Sequence, residues 1–322
     1  MVMVRTTAVA LNPVDAKMVD YSPAVGAIDG YDYAGEVVAV GSDVHHLSVG
    51  DRVCGMVHGM NSLAPEVGAF AQYVGAPAEF VLKAPSYMSD EEAASLGTGI
   101  ATVGLALFHN LKIPAWPTTP LEPEKSFFVL VYGASTATGT MALQVLKLCG
   151  VRAIGVCSPK HFDMVRGYGA EEVFDYNSPT CGADIRAYTR NTCKYALDCI
   201  TEASTMQICY EAIGRAGGRY CALEPYPERQ HTRKAVTPDW VLGLTMYGKK
   251  VAMDGVYGRE PLIEDYEFAK KWFPTVQELL NGEKLRTHPL RHGEGSFEGV
   301  LQGIDILRKR MVSGQKLVYR IM

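Results

Sequence analysis

The 322-residue sequence predicts an α/β fold, in which a parallel sheet covered by helices on both faces follows a β-rich N-terminal region. Between residues 126 and 225, apolar strand-like runs alternate with helical patterns, which is typical of parallel βαβ units. Before residue 100 the chain instead shows short β-rich segments bounded by glycine and aspartate. Because the two regions differ in their pattern of predicted strands and helices, the sequence predicts two domains.

The N-terminal region contains three strand-like segments, "YAGEVVAVG", "GDRVCGMV" and "GAFAQYVGAP". A helical zone follows, and Ser89 with Glu92 three residues later forms the pattern of a capping box at its start. The proline-rich stretch 113–126 predicts a connection between the two regions.

The α/β region begins with the strand "FFVLVYG" and the helix "TMALQVLKLCG", and similar pairs follow it. Two C-terminal helices are predicted from apolar residues at helical spacing, and Pro274 is expected to kink or restart the first of them. Their apolar positions are Tyr266, Ala269, Trp272, Phe273, Val276 and Leu280, and then Phe297, Val300, Leu301, Ile304 and Leu307. The segment "KLVYRI" predicts a final strand.

Composition excludes several classes of function. The net charge of −4 does not favour a nucleic-acid or anionic-membrane surface, and no apolar run is long enough to span a membrane. The start lacks the pattern of a signal peptide. None of the eight cysteines forms a C-x-x-C pair, so we expect buried free thiols, a cytoplasmic protein and no structural zinc.

The segment "VYGASTATGTMALQ" has the layout of a phosphate-binding strand–loop–helix turn but lacks the full glycine triad. Gly133 stands at the sharp turn and Gly139 where the helix must pass close to the strand. Amides at the helix start, together with the helix dipole, favour a pyrophosphate. By itself the loop fits equally well an ordinary βα turn with Ser or Thr caps.

The residues that follow the next predicted strand, in "VRAIGVCSPKHFD", indicate whether the site prefers NAD or NADP. An NAD site usually presents an acidic residue there, whereas this chain has Ser158, Lys160 and His161. A hydroxyl and a cation suit the 2′-phosphate of NADP, which a carboxylate would repel. NADP(H) is therefore favoured over NAD(H), the alternative being that Lys160 is a solvated lysine at a helix start.

The ordered motifs "VGSDVHHLSVGDRVCG", "EEAASLGTGIATVGLAL", "VLVYGASTATG", "GAEEVFDY" and "GRAGGRYCAL" resemble the medium-chain dehydrogenase/reductases over essentially the whole chain. "ALNPVDAKM", "GYDYAGEV", "CSPKHFD", "HTRKAVTPDW" and "KLVYRI" narrow this to a resemblance to fungal trans-acting enoyl reductases, the stand-alone partners of polyketide synthases. The resemblance implies a Rossmann-type NADP-binding domain over 104–269. It also implies a GroES-like catalytic domain over 1–103 and 270–322.

The resemblance also implies an NADPH-dependent reduction of an enoyl thioester on a carrier protein, in a monomer that binds neither nucleic acid nor membrane. Lys17 and Thr102 are the implied catalytic residues, and Gly243, Leu244 and Thr245, with Thr102, are the implied substrate contacts. The implied cofactor contacts are Val14, Asp15, Ala16, Lys17, Ser135, Thr136, Ala137, Thr138, Ser158, Lys160, His161, Tyr176, Leu223, Glu224, Leu317 and Val318.

Two departures from the family pattern stand out. Zinc-dependent relatives carry Cys and His–Glu where this chain has Asn12 and Tyr31–Asp32, so no catalytic metal is expected. Family members also carry strands ahead of the "VMVR" segment, so a chain that started at Met1 would expose a sheet edge.

Other interpretations of these residues stay open. Lys17 could contact a cofactor phosphate or be a solvated lysine, Thr102 could cap or pack its helix, and the proton donor is unassigned. Arg229, Arg233 and Lys234 form a basic patch that could steer an acidic carrier protein. The alternative functions are a reductase of free quinones or enones and a non-catalytic partner of a polyketide synthase.

Overall fold

The computed structural model describes residues 1–321, which fold as two compact units. The first unit comprises Met1–Ala101 and the chain from Leu244 onward, and the second comprises Thr102–Gly243. The elements of residues 1–104 are β1 (Val2–Ala10), α1 (Pro13–Tyr21), β2 (Asp32–Val40), β3 (Arg52–Met56), β4 (Tyr73–Ala76), β5 (Val81–Lys83), α2 (Asp90–Ala94) and α3 (Gly97–Gly104).

The second unit alternates strands and helices as the sequence predicts. Its elements are β6 (Phe128–Tyr132), α4 (Ala137–Leu148), β7 (Arg152–Cys157), α5 (Phe162–Gly167), β8 (Ala170–Asp175), α6 (Cys181–Tyr188), β9 (Tyr195–Asp198), α7 (Ala203–Ala212), β10 (Gly218–Ala222) and β11 (Val236–Trp240). The chain then returns to the first unit with α8 (Ile263–Asn281), β12 (Leu290–Gly293), α9 (Ser296–Arg308) and β13 (Lys316–Arg320).

The six strands of the second unit form one parallel sheet in the order β11-β10-β9-β6-β7-β8, which confirms the predicted Rossmann-type topology. All five residues of β6 are buried, as expected for a central strand covered on both faces. The strand order reverses between β6 and β9, and ligands of such sheets bind at the carboxyl ends of the strands at this point.

The first unit is built around a mostly antiparallel seven-stranded sheet in the order β12-β13-β1-β2-β3-β5, with β4 also paired to β1. Strand β1 pairs with β2 on one side, and on the other with β4 through residues 2–5 and with β13 through residues 8–10. Strand β1 is therefore paired on both sides, because two different strands share its second side.

The unit boundary differs from the predicted one at residue 269. Residues 244–269 belong to the first unit, because their aromatic side chains enter its core. The Phe80 ring packs edge-on against Tyr247, Tyr266 and Phe273, with centroids 5.2–5.8 Å apart. The buried Tyr247 hydroxyl also donates a hydrogen bond of 2.6 Å to the Met56 carbonyl.

Candidate active site

The turn between β6 and α4 is shaped by two glycines. Gly133 has a φ of +72°, and a Cβ on Gly139 would lie 2.4 Å from the Gly133 carbonyl oxygen. The helix start therefore passes closer to the strand end than any other residue would allow. Such a cradle, at a helix N-terminus on the carboxyl edge of the sheet, fits the pyrophosphate of a dinucleotide.

Thr136 is the N-cap of α4. Its hydroxyl accepts a hydrogen bond from the Gly139 amide (3.0 Å) and donates one to the Gly133 carbonyl (2.8 Å). The proton of this hydroxyl is therefore used within the turn, so the contribution of Thr136 to a phosphate site would be to hold the loop. Ser135, Ala137 and Thr138 are half-buried around it.

The end of β7 carries the residues predicted to select the cofactor. Ser158 precedes a short 3-10 turn over Pro159–His161, in which Lys160 is exposed. Burial and the neighbouring Lys160 charge lower the pKa of His161. Tyr176 directly follows β8 at the same edge of the sheet and is 43% exposed.

Asp198, at the end of β9, organises the point where the strand order reverses. Its fully buried carboxylate accepts hydrogen bonds from the Ile200 and Thr201 amides, both at 3.0 Å. It also accepts hydrogen bonds from the hydroxyls of Thr205 (2.5 Å) and Tyr220 (2.9 Å). Burial raises the pKa of Asp198, and these hydrogen bonds oppose the rise.

Asp198 also contacts Leu223, a predicted cofactor residue that directly follows the neighbouring strand β10. The Leu223 amide donates hydrogen bonds to the Asp198 carbonyl and to the Thr201 hydroxyl, each at 3.2 Å. Leu223 and the half-buried Glu224 thus follow β10 directly beside the β9 loop. The sequence analysis did not identify Asp198, although an aspartate ending an apolar strand in "YALDCIT" was a usable sign.

Two of the predicted substrate residues come together in the second unit. A Cβ on Gly243 would lie 3.6 Å from the Thr102 hydroxyl oxygen. Thr102 is half-buried in the last turns of α3. A larger side chain at Gly243 would therefore reach the space beside this hydroxyl.

In the first unit, Lys17 lies on α1, which presents it to solvent while Asp15, Ala16 and Met18 are buried. The backbone amide of Asn12 donates a hydrogen bond of 2.6 Å to the Asp15 carboxylate, so the Asp15 side chain anchors the start of α1. Burial and the Asp29 charge raise the pKa of Asp15 well above its usual range.

Other predicted residues of this unit have buried side chains. Leu317 and Val318 lie in β13 with 1% and 0% exposure, so their side chains belong to the core. Leu244 and Thr245 are each 4% exposed, and the Thr245 hydroxyl donates to the Asp265 carboxylate.

Asn12 and Asp32, two positions at which this sequence departs from the pattern of zinc-dependent relatives, share one partner here. The Lys316 ammonium lies 2.7 Å from both the Asn12 amide oxygen and an Asp32 carboxylate oxygen. An amide, one carboxylate and a cation do not form a zinc-binding set, which requires thiolate, imidazole or carboxylate donors around the metal. Across residues 1–321, no cluster of three or more His, Cys, Asp or Glu side chains could hold a metal ion.

The predicted basic patch is only partly a surface feature. The Arg233 guanidinium donates to the carbonyls of Tyr210, Ile213 (2.7 Å) and Gly214 (2.6 Å) and so caps the end of α7. Arg229 and Lys234 are exposed.

The cysteines agree with the sequence analysis, because all eight are free thiols and seven of them are buried. None of the helices formed by residues 1–321 is both long and apolar enough to cross a membrane.

Comparison with known proteins identifies the family. The family profile described as "Alcohol dehydrogenase GroES-like domain" matches residues 1–86, and the one described as "Zinc-binding dehydrogenase" matches residues 137–223. The chain is 57% identical to the trans-enoyl reductase caaB of Aspergillus niger, covering 99% of this chain and 89% of the relative. It is 53% identical to the trans-enoyl reductase FSL5 of Gibberella zeae, covering 100% and 90% of the two proteins.

The crystal structure of the CurK enoyl reductase superposes with a TM-score of 0.77 at 18% identity, covering 100% of this chain and 91% of that one. This likeness supports the two-unit medium-chain dehydrogenase/reductase fold. A nicotinamide cofactor follows from the family, and the glycine-shaped cradle after β6 fits it. At this level of identity over nearly its whole length, the chain belongs to the trans-enoyl reductases of the medium-chain dehydrogenase/reductase superfamily.

Proposed function

We propose that this enoyl reductase uses NADPH to reduce the α,β-unsaturated thioester of a polyketide intermediate. The intermediate is bound to the acyl carrier protein of an iterative polyketide synthase or of a synthase–peptide synthetase hybrid. The assignment to enoyl thioesters rests on full-length kinship with trans-enoyl reductases.

The observation that carries the choice of NADPH is the end of β7. Ser158, the exposed Lys160 and the half-buried His161 stand where an NAD site would present a carboxylate. They follow the strand next to β6, whose turn forms the proposed pyrophosphate cradle. A cation and hydroxyl at this position support a 2′-phosphate contact.

NADPH, when bound, supplies the hydride for the β-carbon of the substrate. Negative charge then develops on the thioester oxygen, and a hydrogen-bond donor beside that oxygen stabilises it. In this proposal Lys17 and Thr102 are the candidate donors, and the source of the α-carbon proton is unassigned. The carrier protein delivers the acyl chain past Gly243, the small residue beside Thr102.

The cofactor assignment is tested with Lys160→Ala. Removing this cation should raise the KM for NADPH about tenfold or more, which is the effect of losing one charge-assisted hydrogen bond. The KM for NADH should stay nearly unchanged. Lys194→Ala is the matched control, because Lys194 is also exposed but precedes β9 at the opposite edge of the sheet. Equal losses for NADPH and NADH would contradict the 2′-phosphate contact.

The substrate assignment is tested by following NADPH oxidation with a crotonyl thioester, a longer enoyl thioester, a quinone and a free enone. Turnover of the thioesters without turnover of the quinone supports the proposal. Equal rates on free enones would favour a small-molecule reductase. Binding to a synthase without NADPH oxidation on any substrate would favour a non-catalytic partner.

A further inference from the structure

A single carboxylate in the first unit joins three separate segments of the chain. Asp32, in β2, is fully buried, and one of its oxygens accepts hydrogen bonds from the Thr98 amide and hydroxyl, both at 2.6 Å. The other oxygen accepts from the Asn12 side-chain amide (2.9 Å) and from the Lys316 ammonium (2.7 Å).

Each segment held by Asp32 also carries residues of the proposed active site. Asn12 is the N-cap of α1, which carries Lys17. Thr98 stands at the start of α3, the helix that continues to Thr102. Lys316 begins β13 and directly precedes Leu317 and Val318.

The ion pair at the centre of this junction is costly to bury. The side chains of Lys316 and Asp32 are 4% and 0% exposed, so both charges have lost their water. Well-packed apolar residues often replace buried ion pairs without loss of stability. The pair is therefore poorly explained by stability alone, whereas its four directional bonds define the relative positions of three chain segments.

We infer that Asp32 and Lys316 are positioning residues for enoyl reduction, an inference that rests on the proposed function of Lys17 and Thr102. The Asp32 carboxylate holds the starts of α1 and α3 in one arrangement, and the Lys316 ammonium neutralises it and adds β13 to the junction. The junction includes Asn12 and Asp32, two of the positions at which this sequence departs from the pattern of zinc-dependent relatives.

The test uses the double variant Asp32→Asn/Lys316→Met, which removes both charges and so leaves neither one buried alone. We expect it to fold with a urea midpoint close to that of the wild type, and kcat is measured at saturating NADPH because α1 and β13 also carry predicted cofactor contacts. Its kcat with an enoyl thioester should fall by about tenfold to a hundredfold, the effect of small displacements of catalytic groups. Lys316→Arg, which keeps the charge and the donors, should retain most of kcat.

The matched control is Arg52→Met/Asp90→Asn, which removes a half-buried ion pair of the same unit with a shortest N–O distance of 2.6 Å. It should leave kcat unchanged. A double Asp32/Lys316 variant with wild-type kcat would overturn the inference. So would losses of kcat that simply follow the urea midpoints across all the variants.

Amide hydrogen exchange separates this inference from the proposed function. In the double variant, exchange should rise in 13–21 and 97–104 and stay unchanged in α8. Unchanged exchange in α1 and α3 would overturn the positioning role whatever the substrate. Failure of the wild type to reduce any enoyl thioester would instead reject the proposed function, and the exchange result would still decide the junction.

Discussion

At the scale of single residues, each unit contains a fully buried aspartate that accepts four hydrogen bonds. Asp198 holds the loop after β9, and Asp32 holds the starts of α1 and α3. A buried carboxylate needs such a complete set of donors, because an unmet charge is costly in the protein interior. The two carboxylates therefore fix the positions of the backbone segments whose amides donate to them.

The close approach of the start of α4 to the end of β6 can be tested with Gly139→Ala. The added Cβ would lie 2.4 Å from the Gly133 carbonyl oxygen, so the turn must open and unfolding free energy should fall by about 1–3 kcal/mol. Gly99→Ala is the control, because a Cβ there meets nothing within 4 Å. Urea denaturation measures both, and equal midpoints for the two variants would contradict the close approach.

The space beside Thr102 can be tested at Gly243. Gly243→Ala should keep most of the activity, because its Cβ would stand in ordinary contact, 3.6 Å from the Thr102 hydroxyl. Gly243→Phe should lower kcat/KM for a long enoyl thioester by about tenfold or more through displacement of the acyl chain. Unchanged kcat/KM for the long substrate in the Phe variant would remove Gly243 from the proposed channel.

At the scale of elements, sequence patterns predicted the structure correctly where the interacting residues are close in sequence. The predicted capping box is present at α2, where the Ser89 hydroxyl accepts from the Glu92 amide and the Glu92 carboxylate accepts from the Ser89 amide. Leu301 of α9 departs from its pattern, because it is 68% exposed despite its helical spacing with buried Val300 and Ile304. Helix α8 continues through Pro274 and does not restart there, and a kink at Pro274 stays a prediction.

The capping box can be tested with Ser89→Ala, which should lower the unfolding free energy by about 1 kcal/mol because the Glu92 amide loses its acceptor. Ser86→Ala is the matched control, since Ser86 is also exposed but lies outside the cap. Thermal or urea unfolding should show a shift for Ser89→Ala alone. A shift of equal size in the control would indicate an effect unrelated to capping.

At the scale of the whole molecule, buried carboxyls in the first unit make its stability depend on pH. Burial raises the pKa of Asp29 from the ordinary 3.8 to about 6, and the Gly30 amide opposes this rise. The pKa of Asp15 is raised by the same cause. Between about pH 4 and pH 6 the folded chain thus holds a proton at Asp29 that the unfolded chain has released, so this group's contribution to stability falls as pH rises.

Asp29→Asn should remove this dependence. The variant is expected to be more stable than the wild type by about 2 kcal/mol at pH 8, with the difference shrinking as the pH falls through about 6 to below about 4, where the wild-type carboxyl becomes neutral in both states. Urea midpoints measured across this range check the prediction, with Asp43→Asn, at an exposed position, as the control. A difference between variant and wild type that is independent of pH would contradict it.

Sequence alone determined the alternation of strands and helices after residue 126, the glycine-shaped turn after β6 and the cap of α2, because these patterns depend on residues a few positions apart. Tertiary structure alone decided the unit boundary at Leu244 and the pairing of β1 with both β4 and β13. It also decided the junction at Asp32, whose partner Lys316 is 284 residues away. The partner of a buried charge cannot be identified from sequence, because many distant lysines and arginines could neutralise it and only the folded chain brings one of them into contact.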